Sequence, residues 1–350
     1  MANIAVIIGR FSLVHKGHEA LITHAIDNYD RVIVLIGSSY QARTPKNPFT
    51  GIERRRILRK MFRYAEDDID FSLIRDYPYS DTQWGVDVCS QVQMVCEPED
   101  KITIVGCDRD SSTYYLKSFP QWNLDLIDPV GDNLSATNYR KTLFEQDAVV
   151  DFSEFADLPE EMVEFLQEYV KTEDYANTKA EYRFIEDYKK KISVFPYPVT
   201  INTADAVIIQ SNHVLVVERL QYPGKGCLAL PGGHIELNET LMEAAIREAY
   251  EETGIMIATG KKAEQITKDI LRMSVKASRT FDYPERSLKA RVITEAFLIS
   301  LDDTKALPAL IPQQNEVKRT FWMPIGEALA KTNWLEDHWH ILNWAVSQRN

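Results

Sequence analysis

The stretch "NIAVIIGRFSLVHKGHEALI", residues 3–22, decides the fold. An apolar β-branched run reaches a glycine, turns, and enters an amphipathic helical pattern. Where a strand passes directly into a helix, free backbone N–H groups and the positive end of the helix dipole converge, and both favour bound phosphate. His15 and His18 stand around a Lys-Gly pair at that place.

Working outward, "RVIVLIGS" (31–38), "DFSLIRD" (70–76), "KITIVGC" (101–107) and "LDLIDPV" (124–130) read as further strands. Helical periodicity fills the gaps at 18–29, 52–62 and 86–97, a helix starts within "LSATNYRKTLFEQ" (134–146), and 159–190 is polar and helix-favouring. Strands alternating with helices predict an α/β, doubly wound parallel sheet whose ligand sits beyond the carboxyl ends of the strands. At "VFPYPVT" (194–200) the character changes. Strand patterns at 204–210, 213–219, 291–300 and 319–325, with helical segments at 240–253 and near the end, predict a second, α+β domain. The expected division is 1–190, a linker at 191–198, and 199–350.

The chain has 350 residues, 45% hydrophobic and 26% charged, the balance of a globular protein with room for two domains. A net charge of −12 argues against a nucleic-acid partner but not against small anionic substrates, which need only a local cationic patch. The four cysteines form no CxxC pair, so a reduced, cytoplasmic protein is expected. The N-terminus enters a strand within a few residues without a basic leader, and no apolar stretch approaches the ~20 residues of a membrane span. A soluble, unexported protein without membrane or nucleic-acid partners follows, acting alone or as a homo-oligomer.

Two separated pieces bear on the first strand–helix turn. In "LSATNYR" (134–140), Ser135 and Thr137 stand at a helix start, where hydroxyls cap the helix or contact phosphate, and Arg140 can hold a phosphate with two parallel bonds. "NPFTGIERRR" (47–56) is another helix entry, and its arginines 54–56 read as a mostly solvated face.

In the second half, "GHIELNETLMEAAIREAYEETGI" (233–255) fits G-x5-E-x7-R-E-U-x-E-E-x-G-U, U being aliphatic or small, at Gly233, Glu239, Arg247, Glu248, Glu251, Glu252 and Gly254. Thr240 with Glu243 makes a capping box and Gly254 a C-cap. Between them Glu248, Glu251 and Glu252 share one helix sector of roughly 100°. Two carboxylates ~4 Å apart repel by about 4 kcal/mol at an effective dielectric of about 20, so a cation is needed among them. An all-oxygen donor set suits Mg²⁺ or Mn²⁺.

"GRFSLVHKGH" resembles the HxGH signature of the nucleotidyltransferase superfamily, and "LSATNYR" resembles its ISSTxxR signature. The HxGH pattern also suits a class I aminoacyl-tRNA synthetase, but this half lacks an evident tRNA-binding extension. "NPFTGIER" and the tryptophan of "DTQWGVDV" narrow the resemblance to nicotinamide-mononucleotide (NMN) adenylyltransferases, with a Rossmann-like fold. The resemblance implies that Gly9, Arg10, Phe11, His15, His18, Ser135, Thr137 and Arg140 bind ATP. It further implies that the histidines stabilise the transition state, that Asn47 and Trp84 hold the mononucleotide, and that Mg²⁺ bridges the departing pyrophosphate. Ser12-Leu13 replaces the usual Gln-Pro, and Ala136 a usual serine.

The second signature resembles that of the Nudix hydrolases, which implies an α/β/α sandwich. By that resemblance Glu248 and Glu252 are the main metal ligands, Glu251 assists, Arg247 orients them, and Gly232 or Gly233 offers a carbonyl oxygen. Arg219, Lys225, Gly232, Gly233 and Glu316 would meet substrate, with Glu316 or Glu295 as general base. A tryptophan usual before the Pro-Gly-Gly is absent, with Leu228 near its place, so Tyr222 or Trp322 would stack on adenine. Together the halves resemble bifunctional NMN adenylyltransferase/Nudix hydrolases. The implied substrates are ATP and NMN, giving NAD, and ADP-ribose, hydrolysed to AMP and ribose 5-phosphate. Two alternatives stay open: a second half that senses ADP-ribose without cleaving it, and a first half with another acceptor such as phosphopantetheine.

Overall fold

The computed structural model describes residues 1–107, 115–129, 135–146, 149–311 and 317–349. The chain divides into two compact units, Met1–Tyr182 and Arg183–Asn350.

The first unit contains β1 (Asn3–Gly9), α1 (Lys16–Asn28), β2 (Arg31–Ile36), α2 (Gly51–Met61), β3 (Ile69–Leu73), α3 (Asp81–Gln93), β4 (Lys101–Gly106), β5 (Asn123–Leu126), α4 (Ala136–Glu145) and α5 (Glu160–Tyr169). A further helix, α6 (Glu173–Ile192), spans the division between units. The strands form one parallel sheet in the order β3-β2-β1-β4-β5. Strand alternation explains why helices cover both faces. Ala5, Ile7, Val32 and Val34 pack with Ile22, Ile57 and Leu58, while Ile4, Val6, Ile8, Ile33 and Leu35 pack with Val88 and Val92. Strand order reverses between β1 and β4, the place where doubly wound sheets open a crevice at the carboxyl ends of their strands.

One detail refines the expectation and one differs from it. The polar stretch 159–190 holds two helices, because the Thr172 hydroxyl donates to Tyr169 O at 2.7 Å and accepts from Tyr175 N–H at 3.2 Å, which closes α5 and opens α6. Arg54 is fully buried rather than solvated.

The second unit contains β6 (Thr200–Gln210), β7 (His213–Arg219), β8 (Leu228–Ala229), β9 (Gly232–His234), α7 (Leu241–Thr253), α8 (Ala263–Met273), β10 (Val275–Phe281), β11 (Arg291–Ser300), β12 (Val317–Pro324), α9 (Ile325–Ala330) and α10 (His338–Ser347). Its mixed sheet runs β10-β11-β6-β7-β12, with β8 on β7 and β9 on β6. β6 and β11 pair in parallel along ten residues, and the other pairs are antiparallel. Ala204, Ala206 and Ile208 pack against α7 and Leu271 of α8; Val207 and Ile209, on the opposite face of β6, are also fully buried. Helix α8 and strand β10 have no counterpart in the sequence reading. No helix of the described residues is long and apolar enough to cross a membrane.

Two candidate active sites

Beyond β1 the chain turns through Phe11 at φ +50°, and its ring folds over Gly9, where an added Cβ would lie 2.9 Å from the ring. His15 caps α1, and its backbone N–H donates to His18 Nδ1 at 3.3 Å. The two imidazoles stack at 3.8 Å and 26°, with the Phe11 ring 5.1 Å from His18. The pair is thus held at the carboxyl end of β1.

Arg140, on α4, reaches the same loop. Nη1 donates to Ser12 Oγ and Nη2 to Thr137 Oγ1, both at 2.9 Å. Burial, and secondly the charge of Arg10, lower its pKa to about 10, so it stays cationic at neutral pH. Its described partners are hydroxyls rather than carboxylates, which leaves its charge available to an anion. Ser135 occupies the N-cap of α4 without a side-chain cap bond. Ser12, which reads in sequence as a departure from pattern, is one of the two hydroxyls that steady Arg140.

Asn47 and Trp84 stand on segments that follow β2 and β3. Gln41 Nε2 donates to Asp76 Oδ2 at 3.0 Å, which turns Gln41 Oε1 toward Asn47 Nδ2 at 3.3 Å. That relay leaves Asn47 Oδ1 buried and, among the described residues, without a hydrogen-bond partner, an acceptor open to a ligand donor. Trp84 is half-buried beside Tyr115 and Phe119, at ring distances of 6.1 and 5.7 Å.

The second site is built on α7. Thr240 and Glu243 form the capping box, and Gly254 ends the helix at φ +55°. Arg247 organises the acids. It donates to both oxygens of Glu239, at 3.0 and 2.7 Å, to Glu248 Oε1 at 2.9 Å, to Glu251 Oε2 at 3.1 Å and to His234 O at 3.1 Å. Glu239 appears in sequence only as a fixed motif position; here it anchors the guanidinium. Glu252 lies deeper, 4% exposed, accepting from Gly232 N–H at 3.1 Å. Desolvation raises its pKa to about 8, against the lowering influence of the Gly232 bond. The glycine pair is a cradle: a Cβ on Gly233 would lie 2.6 Å from Glu248 Oε1, and one on Gly232 2.3 Å from Asp205 Oδ1. Asp205, a buried carboxylate that accepts from Thr294 Oγ1 at 2.6 Å, is a residue the sequence did not single out.

Among the described residues no three His, Cys, Asp or Glu side chains stand close enough together to hold a metal, because Arg247 draws Glu248 and Glu251 to itself. The donor chemistry nonetheless fits a hard divalent cation, since all oxygens are carboxylate or carbonyl and, among the described residues, no cationic group is bonded to the buried Glu252.

The remaining candidates have the following surroundings. Arg219 donates to Pro223 O at 2.9 Å and its charge acts on Glu252. Lys225 lies 5.7 Å from the Tyr222 ring, and Trp322 donates to Pro308 O at 2.9 Å. Glu295 accepts from Thr280 Oγ1 at 2.6 Å. Glu316 lies outside the described residues.

Comparison with known proteins follows the same division. A cytidylyltransferase-like family model matches residues 6–141 and a NUDIX domain model residues 200–345. The chain is 32% identical over 180 residues to a nicotinamide/nicotinic acid mononucleotide adenylyltransferase of Acinetobacter baylyi, covering 51% of this chain and 92% of that protein. It is 42% identical over 67 residues to an ADP-ribose pyrophosphatase of Methanocaldococcus jannaschii, covering 19% of this chain and 38% of that protein. The crystal structure of a bifunctional NMN adenylyltransferase/ADP ribose pyrophosphatase from Francisella tularensis, complexed with AMP and a manganese ion, superposes with a TM-score of 0.87 at 30% identity and covers 100% of both chains. End-to-end likeness of this kind, with both domain models in the same order, establishes that the chain belongs to the family of bifunctional NMN adenylyltransferase/ADP-ribose pyrophosphatases.

Proposed function

We propose that the first unit transfers AMP from ATP to nicotinamide mononucleotide, giving NAD and pyrophosphate, and that the second hydrolyses ADP-ribose to AMP and ribose 5-phosphate. The functional boundaries are 1–190 and 199–350, joined by 191–198, and the enzyme works in the cytoplasm.

For the transfer, a phosphate oxygen of the mononucleotide attacks the α-phosphorus of ATP while the bond to the β-phosphate oxygen breaks. Such a step needs alignment and charge stabilisation but no covalent nucleophile. Gly9, Arg10, Phe11, Ser135, Thr137 and Arg140 hold the triphosphate, and His15 and His18 stabilise the charge that builds on the α-phosphate. Trp84 offers the nicotinamide ring a face, and Asn47 Oδ1 accepts from the mononucleotide. The observation that carries this reading is the bond from Arg140 to Ser12, on the loop that leads from β1 into the stacked histidines, where the sheet order reverses.

For the hydrolysis, Glu248, Glu251 and Glu252, with a Gly232 carbonyl, hold Mg²⁺ or Mn²⁺. The bound cation supplies charge neutralisation and polarises the diphosphate. Arg247 keeps Glu248 and Glu251 in place, while Arg219, Lys225, Gly232 and Gly233 meet the substrate. Retention of all three glutamates favours hydrolysis over binding alone. Purified protein is given ATP with mononucleotide, then ADP-ribose with Mg²⁺. NAD and AMP are the expected products; binding of ADP-ribose with no AMP formed would make the second unit a sensor.

A further inference from the structure

Arg54 is fully buried, and each of its described hydrogen bonds goes to a main-chain carbonyl. Nε donates to Phe49 O at 3.2 Å and Thr50 O at 3.3 Å, Nη2 to Ser38 O at 2.9 Å, and Nη1 to Gly37 O at 2.7 Å and to Arg10 O. Three loops therefore meet on one side chain. Burial lowers its pKa to about 10, with Asp76 opposing that shift through its field. A buried charge without a bonded carboxylate is expensive, and an apolar side chain would fill the space at less cost.

The carbonyls it grips suggest what offsets that expense. Arg10 O and Gly37 O belong to the peptides that precede Phe11 and Ser38, two non-glycine residues at φ +50° and +51°. Such left-handed conformations are costly for non-glycine residues and persist only where the surroundings over-determine them. Both turns leave the carboxyl ends of adjacent strands, β1 and β2. Because a trans peptide sets N–H opposite C=O, fastening Arg10 O turns Phe11 N–H away from Arg54 and fixes the base from which the Arg10 side chain projects.

We propose that Arg54 is a positioning residue for adenylyl transfer: it clamps the turns after β1 and β2 in their strained form, so that Arg10 and the following His15–His18 segment stay aimed at substrate phosphate. This rests on the adenylyltransferase reading of the first unit. Arg54 touches no substrate itself and acts through the carbonyls it holds.

The test uses the full chain as Arg54→Ala and Arg54→Lys, with the wild type assayed alongside. Turnover of NAD synthesis is expected to fall roughly 100-fold in both variants, the usual penalty of a small misplacement near reacting atoms. KM for each nucleotide should move less than about threefold, because the lost interaction matters mainly in the transition state. Guanidinium in the tens-of-millimolar range should restore about tenfold of the alanine variant's turnover, by re-supplying the planar fork, whereas methylammonium should not. Near-wild-type turnover in Arg54→Ala overturns the inference. So does a loss that guanidinium leaves untouched and that accompanies a lowered first-unit melting transition, since Arg54 would then be only structural. A wild type that makes no NAD would instead fail the underlying reading.

Discussion

The two sites solve opposite electrostatic problems. In the first unit, Arg140 is bonded to hydroxyls and the two imidazoles stack on each other, an arrangement that suits the proposed hold on phosphate. In the second, carboxylates face a substrate of their own sign, and a single guanidinium holds three of them. The first site needs only to be kept in shape. The second needs a cation inserted before a diphosphate can approach, and desolvation of its buried Glu252 raises that carboxyl's pKa until one arrives.

Breaking each half separately measures this contrast. Glu252→Gln should lower ADP-ribose hydrolysis by roughly 10³–10⁴-fold, the scale seen when one member of a concerted catalytic set is removed, and leave NAD synthesis unchanged. A parallel fall in NAD synthesis would contradict independent sites. His18→Ala should lower NAD synthesis by about 10²–10³-fold through kcat, as loss of a preorganised transition-state donor does, with KM little altered. Arg247→Lys keeps the charge but loses the fork, and hydrolysis or metal affinity should drop about 10–100-fold, as for groups that orient metal ligands. An unchanged manganese affinity and rate would show that Glu248 and Glu251 need no such holder.

The pH response separates the sites more finely. Glu252 carries its proton up to about pH 8 in the metal-free protein because desolvation raises its pKa. Cation binding must displace that proton, so affinity should rise about tenfold per pH unit below 8 and level off above it. Calorimetry in two buffers of different ionisation heat reads the released proton directly. The same shift makes the metal-free second unit less stable as pH rises from the ordinary carboxylate range to 8, because there the folded state holds a proton that the unfolded chain releases. Smallest in reach is Gly254→Ala. A Cβ there would lie 1.6 Å from Ile311 O at a left-handed φ, and a loss of about 1–3 kcal/mol confined to the second melting transition is expected.

Much of this was legible in the residues because the decisive signals are local. A capping box, a C-cap glycine and acids at helical spacing need no knowledge of distant chain, and α7 stands where its letters put it. Likewise the strand–turn–helix around His15 is written contiguously. What escaped depends on partners far along the chain. Arg54 looks like one charge in a run of three until β1 and β2 close over it. Ser12 acquires meaning only from Arg140, 128 residues away. Asp205 sits within an apolar strand pattern, and its hydroxyl partner Thr294 lies 89 residues on. Helix α8 escaped for a plainer reason: it interrupts a strand-rich region with a short segment that no proline or glycine inside it marks off.

The parallel pairing of β6 with β11 bears on how the protein is made. The first strand of the second unit waits for a neighbour that leaves the ribosome much later, whereas β1 meets β2 almost as soon as both have emerged. During synthesis, therefore, the first unit closes its sheet while β6 still exposes one bare edge. That interval is when the nascent chain is most open to chaperone capture or to pairing with another copy.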